Sequence, residues 1–277
     1  MFNKIKSFFR RKFLNRKSLE NYRFVREIGY GSYADIYQTQ YSIDKKYYTC
    51  KRFPKNKIEA AERELHILRL ANHSYFPKYH NYQFDQHYTY LFFDYIPGND
   101  LFDTFKTQMK GDIGGENNLK KFARQMIYCL RACDLHNIQH LDIKLENFIV
   151  TELEPPRLKL IDFGNAHYIF DDKRRLALYS VVGTRGYLPP ETEEYEFHKT
   201  SDIWSLGVCA WMLATGRKPF YYDEDSDRHD FTFPTAEHTE LMEEMSPLLQ
   251  DFFNSIFRVQ PEERITMAQL IRHRWLD

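Results

Sequence analysis

The 277 residues suffice for one large domain or two packed lobes, and 43% hydrophobic with 28% charged residues is ordinary for a globular chain. Lys and Arg balance Asp and Glu at 39 each, but Met1 to Ser18 holds seven basic residues (Lys4, Lys6, Arg10, Arg11, Lys12, Arg16, Lys17) and no acid. The remainder is therefore about seven charges negative, which argues against nucleic-acid binding. The longest apolar run, Ile203 to Ala214, is too short to span a bilayer. The four cysteines show no metal-ligand spacing and read as small buried hydrophobes in a reducing compartment. A cytoplasmic, monomeric protein is expected.

Residues 1–20 form a basic amphipathic segment. Phe2, Ile5, Phe9 and Phe13 share one helical stripe, with Phe8 and Leu14 beside it. Contact with an anionic membrane surface through residues 1–18 is one reading. A helix docked on the body of the protein, a disordered basic tail and a mitochondrial targeting segment are the others. Phe2 stands where N-myristoylation needs Gly, which excludes that anchor.

Tyr22 to Phe53 is rich in β-branched and aromatic residues, with turn signals at Gly29-Tyr30-Gly31-Ser32 and Ile43-Asp44-Lys45, and predicts three antiparallel strands. Lys57 to Leu70 carries Ile58, Ala61, Leu65 and Leu68 at helical spacing. Strands are predicted at about Tyr79 to Phe84 and Tyr88 to Asp94, then a hinge at Pro97-Gly98-Asn99. Lys110 to Asn118 reads as a loop and Leu119 to His136 as a long amphipathic helix. Helices are also expected at Ser201 to Thr215, about Ser246 to Phe257, and Thr266 to Arg272. Strands first and helices after give an α+β, two-lobed architecture.

The chemistry concentrates in two segments. Gln139-His140-Leu141-Asp142-Ile143-Lys144-Leu145-Glu146-Asn147 is followed by Asp162-Phe163-Gly164. An Asp, a Lys two on, an Asn five on and a later Asp suit phosphoryl transfer. One carboxylate takes a hydroxyl proton, while an Asn and a second Asp hold Mg²⁺. Upstream, Gly29 and Gly31 let backbone approach a polyphosphate, and Lys51 on a later strand can pair with it. Glu64, on the packed edge of the next helix, is favoured over Glu59 and Glu62 to orient Lys51.

With these motifs in this order, the chain resembles a eukaryotic-type protein kinase catalytic domain of the Ser/Thr class, loosely like the calmodulin-dependent kinase-related groups. The resemblance covers about Tyr22 to Leu276. It implies a kinase domain over 21–277, divided at about 95/96, that uses ATP and Mg²⁺ on protein substrates. It makes Gly29, Gly31 and Ala34 a phosphate-covering loop, with Ile28, Tyr30 and Ser32 among its ATP-binding residues. Lys51 and Glu64 become an ion pair, and Ile36, Thr49 and Ile149 sandwich the adenine. Phe93 takes the gatekeeper position, the backbone of Asp94 and Ile96 faces the adenine edge, and Asp100 meets the ribose or a substrate Arg. Asp142 becomes the catalytic base, Lys144 steadies the transferring phosphate, and Asn147 and Asp162 hold the two Mg²⁺ ions. Lys144 and Thr184 match the Ser/Thr-specific pattern. Glu191 with Arg264, and Asp202, are implied as scaffold.

The chain also departs from the pattern. Leu141 replaces the Arg that commonly precedes the catalytic Asp, so activity independent of activation-loop phosphorylation is expected. Tyr168, Tyr179 and Ser180 remain candidate phosphosites, and Arg174 or Arg175 candidate phosphate ligands. Ala34, Thr49, Leu145 and Pro189 are further departures that remove no catalytic group. A pseudokinase scaffold is the alternative without catalysis, and a small-molecule kinase the alternative with it. Glu146, Glu193, Glu194, Glu196 and the acidic run 223–230 suggest basic substrates. With the chain ending at Asp277, no C-terminal autoinhibitory tail is expected.

Overall fold

The computed structural model describes residues 19–31, 33–169, 175–177, 181–223 and 228–277, with backbone alone at 175–177 and 228–229. The expectations on residues 1–18, Ser32, Arg174, Tyr179 and Ser180, and on the Arg175 side chain, lie outside what is described. Much of the acidic run also lies there, at 224–227. The chain divides into two compact units between Ile96 and Pro97.

The first unit is a five-stranded antiparallel sheet in the order β1-β2-β3-β5-β4. Its strands are β1 (Tyr22–Tyr30), β2 (Asp35–Tyr41), β3 (Tyr47–Pro54), β4 (Tyr79–Phe84) and β5 (Tyr88–Asp94). Each turn has a local cause. Gly31 N–H donates to the Ala34 carbonyl at 2.8 Å between β1 and β2. Between β2 and β3, Lys45 takes a left-handed φ of 61° and Asp44 Oδ1 accepts from Lys46 N–H. Asp85 Oδ1 accepts from the His87 and Tyr88 amides to start β5. Helix α1 (Ile58–Leu70) buries Ala60, Ala61, Glu64, Leu65, Ile67 and Leu68, the face the 3.6-residue spacing marks. A second cluster in this unit joins Tyr22, Tyr41, Tyr48, Cys50, Tyr90 and Phe92. Its phenols keep partners: Tyr48 Oη donates to Asp44 and Tyr90 Oη to Asp85, both at 2.6 Å.

The second unit is mainly helical, built around α2 (Glu116–Leu135) and α3 (Ser201–Thr215) with α4 (Ala236–Glu243) and α5 (Pro247–Ile256). Two-stranded ladders join β6 (Ile138–Gln139) to β9 (His167–Tyr168) and β7 (Phe148–Leu153) to β8 (Pro156–Leu160). Helix α3 is buried from Ser201 through Leu213, as an all-round apolar helix must be. Trp204 stacks on Phe220 and Trp211 meets Phe253 edge-on, both within about 5 Å between ring centroids.

Two boundaries differ from the sequence reading. Helix α2 begins at Glu116, inside the expected loop, because Gly115 turns the chain at a φ of 90° and the Glu116 carboxylate is anchored at a distance. It accepts from Ser246 Oγ at 2.6 Å and from Trp275 Nε1 at 2.8 Å. The expected helix at Thr266 to Arg272 is one turn, Met267–Leu270, held by a capping box between Thr266 and Gln269. The fold is α+β. All four cysteines are buried free thiols, and no described helix is long and apolar enough to cross a membrane.

Candidate active site

In the first unit, the β1–β2 turn carries the glycine loop. Gly29 pairs with Ile36 and Tyr30 with Asp35, with a bulge between Glu27 and Gly29. A Cβ on Gly31 would stand 3.3 Å from the Ala34 carbonyl oxygen, so Gly31 suits this tight turn. Ile28 and Tyr30 are exposed and Ala34 is buried. Ile36 lies opposite Lys51 on β3, and Thr49 opposite Phe93 on β5.

Strand alternation points Lys51 at α1. Its Nζ lies 2.6 Å from Glu64 Oε1, with the Glu64 side chain 1% exposed. Glu59 is exposed and Glu62 half-buried, so Glu64 is the acid this packing delivers. A charge pair removed from water this far holds its geometry because separating it strands a buried charge. Phe93 is buried, while Asp94 is exposed with its amide on the Lys78 carbonyl. Ile96 closes the unit.

In the second unit, β6 leads into the segment His140 to Asn147. Asp202, at the start of α3, accepts from the His140 amide at 2.7 Å and the Leu141 amide at 2.9 Å. Burial raises the Asp202 pKa, and these bonds oppose that shift. Leu141 is buried with a left-handed φ of 62°, which turns the chain so that Asp142 follows.

Asp142 Oδ1 accepts from Thr184 Oγ1 at 2.6 Å, and Lys144 Nζ donates to the same hydroxyl at 2.9 Å. Lys144 Nζ also stands 3.5 Å from Asp142 Oδ2. Asn147 Nδ2 donates to the Asp142 carbonyl at 2.7 Å, leaving its Oδ1 as the amide atom for a cation. Asn147's own carbonyl accepts from the Ile161 amide at 2.9 Å, which ties it to the residue before Asp162. Asp162 is held at φ 65°, ψ 72°. A non-glycine residue in that region is a strained placement of the kind found at functional sites.

Asn147 and Asp162 therefore offer amide and carboxylate oxygens, hard donors that suit Mg²⁺. Among the described residues no group of three or more His, Cys, Asp or Glu could form a full protein cage. The pair fits a cation that keeps water and substrate oxygens as its other ligands.

The remaining sequence candidates sit apart from this network. Asp100 accepts from the Asp103 amide at 2.8 Å as a helix cap. Burial raises its pKa, Asp103 and Glu146 add to the rise, and the backbone bonds oppose it. Ile149 bridges Asp100 across the Asn99–Val150 backbone bond. Glu191 and Arg264 form a two-pronged pair, both bonds 2.8 Å, with Ser201 Oγ on Glu191 and the guanidinium over the Trp204 ring.

Three contributors were not given these roles from the sequence, which read Gly98 as part of a hinge and His140 as part of the catalytic segment. His140 Nε2 lies 3.0 Å from the Ile161 carbonyl, and its ring meets Phe163 edge-on. Gly183 has φ 104°, and a Cβ there would come 2.5 Å from the Leu141 carbonyl oxygen. Gly98 likewise leaves no room for a Cβ against the Val150 carbonyl.

The chain has relatives among known proteins. The chain is 27% identical over 271 residues to the calcium/calmodulin-dependent protein kinase type II alpha chain of Drosophila melanogaster, which covers 93% of this chain and 49% of that protein. It is 27% identical over 272 residues to the type II subunit delta of Oryctolagus cuniculus, with the same coverage. The chain thus spans about half the length of the curated relatives it matches. The profile of the protein kinase domain matches residues 22–276, and the chain belongs to that family.

Proposed function

We propose that the chain is an active serine/threonine protein kinase catalytic domain, transferring the γ-phosphate of ATP to hydroxyls of protein substrates with Mg²⁺. The observation that carries this reading is the Asp142–Thr184–Lys144 network, with Asn147 fastened to Asp142 on one side and to Ile161 on the other. Bound Mg-ATP supplies the phosphoryl group and neutralises its charge. The chain's residues do the rest. Asp142 orients the acceptor hydroxyl and takes its proton, and Lys144 offsets negative charge beside it. Asp202 fixes the backbone that carries Asp142. Asn147 and Asp162 would hold the cation, and Lys51, paired with Glu64 at 2.6 Å, would offer its ammonium to the phosphates.

Lys144 and the type II calmodulin-dependent relatives support Ser/Thr specificity. Leu141 supports activity without activation-loop phosphorylation, since its buried apolar side chain offers a phosphate no cation. Phosphoamino-acid analysis after incubation with Mg-ATP and mixed protein substrates tests the reading. Phosphoserine and phosphothreonine are expected, at a rate unchanged by phosphatase pretreatment of the enzyme. Phosphotyrosine alone would contradict the specificity, and a phosphatase-sensitive rate would contradict the role given to Leu141.

A further inference from the structure

We propose that Arg185 and Lys218 form a subsite for an anionic side chain, a carboxylate or a phosphate, beside the acceptor hydroxyl of the protein substrate. The inference rests on the kinase reading of the site. Thr184 Oγ1 donates to Asp142 Oδ1 at 2.6 Å, so the residues after Thr184 border the place where an acceptor meets the base. They form a turn. Tyr187 N–H donates to the Thr184 carbonyl at 3.1 Å, and Gly186, third in the turn, has a φ of 83°. Tyr187 is buried, its carbonyl accepting from Ser205 Oγ at 2.7 Å. With that end anchored in the core, Arg185 at the tip of the turn is exposed. Its guanidinium lies over the Tyr222 ring, 5.1 Å from the centroid, which orients the fork.

Lys218 comes to the same turn from the end of α3. Gly216 ends that helix with a φ of 73°, and His238 Nε2 donates to the Pro219 carbonyl at 2.6 Å. The reversal brings Lys218 Nζ within 2.7 Å of where a Cβ on Gly186 would stand, and within 5.1 Å of the Tyr187 ring centroid. Among the described residues Lys218 pairs with no carboxylate. Arg185 and Lys218 line an open groove of about 900 Å³ with Arg217, Asp230 and Glu237. Glu237 is held by Arg217 at 3.0 Å, and Asp230 accepts from the Thr232 amide at 2.9 Å. Three cations against two carboxylates leave the described lining positive. Residues of an extended substrate are about 3.4 Å apart, so one beside the acceptor reaches groups one or two residues from Thr184. Arg offers a carboxylate or phosphate a two-pronged bond, and Lys adds a point charge. Glu193, Glu194 and Glu196, which suggested basic substrates, line another groove.

The test is a peptide library phosphorylated by the full chain with Mg-ATP. Each position flanking a Ser or Thr acceptor is in turn Asp, Glu, phosphoserine, Arg or Ala. For wild type, an anionic residue at one flanking position is expected to raise kcat/KM about tenfold over Ala. That ratio is expected to fall to about one in Arg185→Ala/Lys218→Ala, and Arg185→Glu/Lys218→Glu is expected to favour Arg at the same position. Asp and Glu acting as well as phosphoserine assign the subsite to carboxylates, and a gain with phosphoserine alone assigns it to phosphate. No anionic preference in an active wild type overturns the proposal. So does a preference that survives both double variants. Should wild type transfer no phosphate, fluorescence anisotropy with the same peptides separates the two readings. Tighter binding of the anionic peptide that both double variants lose supports the subsite and puts the catalytic reading at fault. Equal binding of anionic and Ala peptides overturns the subsite.

Discussion

Gly183 shows how a single residue controls the catalytic segment. With φ 104° and the Leu141 carbonyl oxygen 2.5 Å from any added Cβ, Gly183→Ala must push the backbone before Asp142 aside. We expect kcat to fall about a hundredfold, as displacement by about 1 Å can cause, with KM for ATP little changed. Steady-state kinetics checks this. Glu191→Ala acts differently, leaving the Arg264 guanidinium buried without its carboxylate. The expected loss is about 3–5 kcal/mol of stability by chemical denaturation. At this scale the sequence was informative where spacing carries chemistry. Asp142, Lys144 and Asn147 lie within six residues, and Glu64 lies on the packed edge of a helix. It was silent where partners meet only through folding. Thr184 reaches Asp142 from 42 residues away, and no periodicity announces a hydroxyl's partner.

Helix α3 links packing to the site. Its first turn supplies Asp202 to two catalytic-segment amides, and its body supplies Trp204 and Trp211 to the core. Asp202→Asn keeps one acceptor oxygen and turns an NH₂ group toward the second amide. That leaves a buried donor unsatisfied at a cost of about 1–3 kcal/mol. Faster exchange at the Leu141 or His140 amide and a kcat reduced about tenfold or more are expected. Trp211→Ala instead opens a cavity away from the chemistry. It should cost about 3–5 kcal/mol in stability with KM values preserved below the melting transition. Elements such as β5 and α3 were readable because burial on nearly every side writes a continuous apolar run into the sequence. The start of α2 was not, since Glu116 is fixed by Ser246 and Trp275, more than a hundred residues distant.

For the whole molecule, the first unit contributes a buried ammonium–carboxylate pair, and the second a carboxylate, a lysine and two oxygen donors suited to a cation. This division was legible as motif order: Lys51 lies within β3 and Glu64 within α1, and the segment from Asp142 to Asn147 follows β6. The aromatic second cluster of the first unit was not: its tyrosines are scattered over four strands, and only the sheet register gathers them. The measurement that bears most directly on the central claim is transfer of labelled γ-phosphate from Mg-ATP to a mixed protein substrate, comparing wild type with Asp142→Asn. We predict phosphoserine and phosphothreonine from wild type and a loss of at least about a hundredfold in the variant, with nucleotide binding retained by both. Binding of Mg-ATP without transfer by wild type, or equal transfer by the two proteins, would contradict the account.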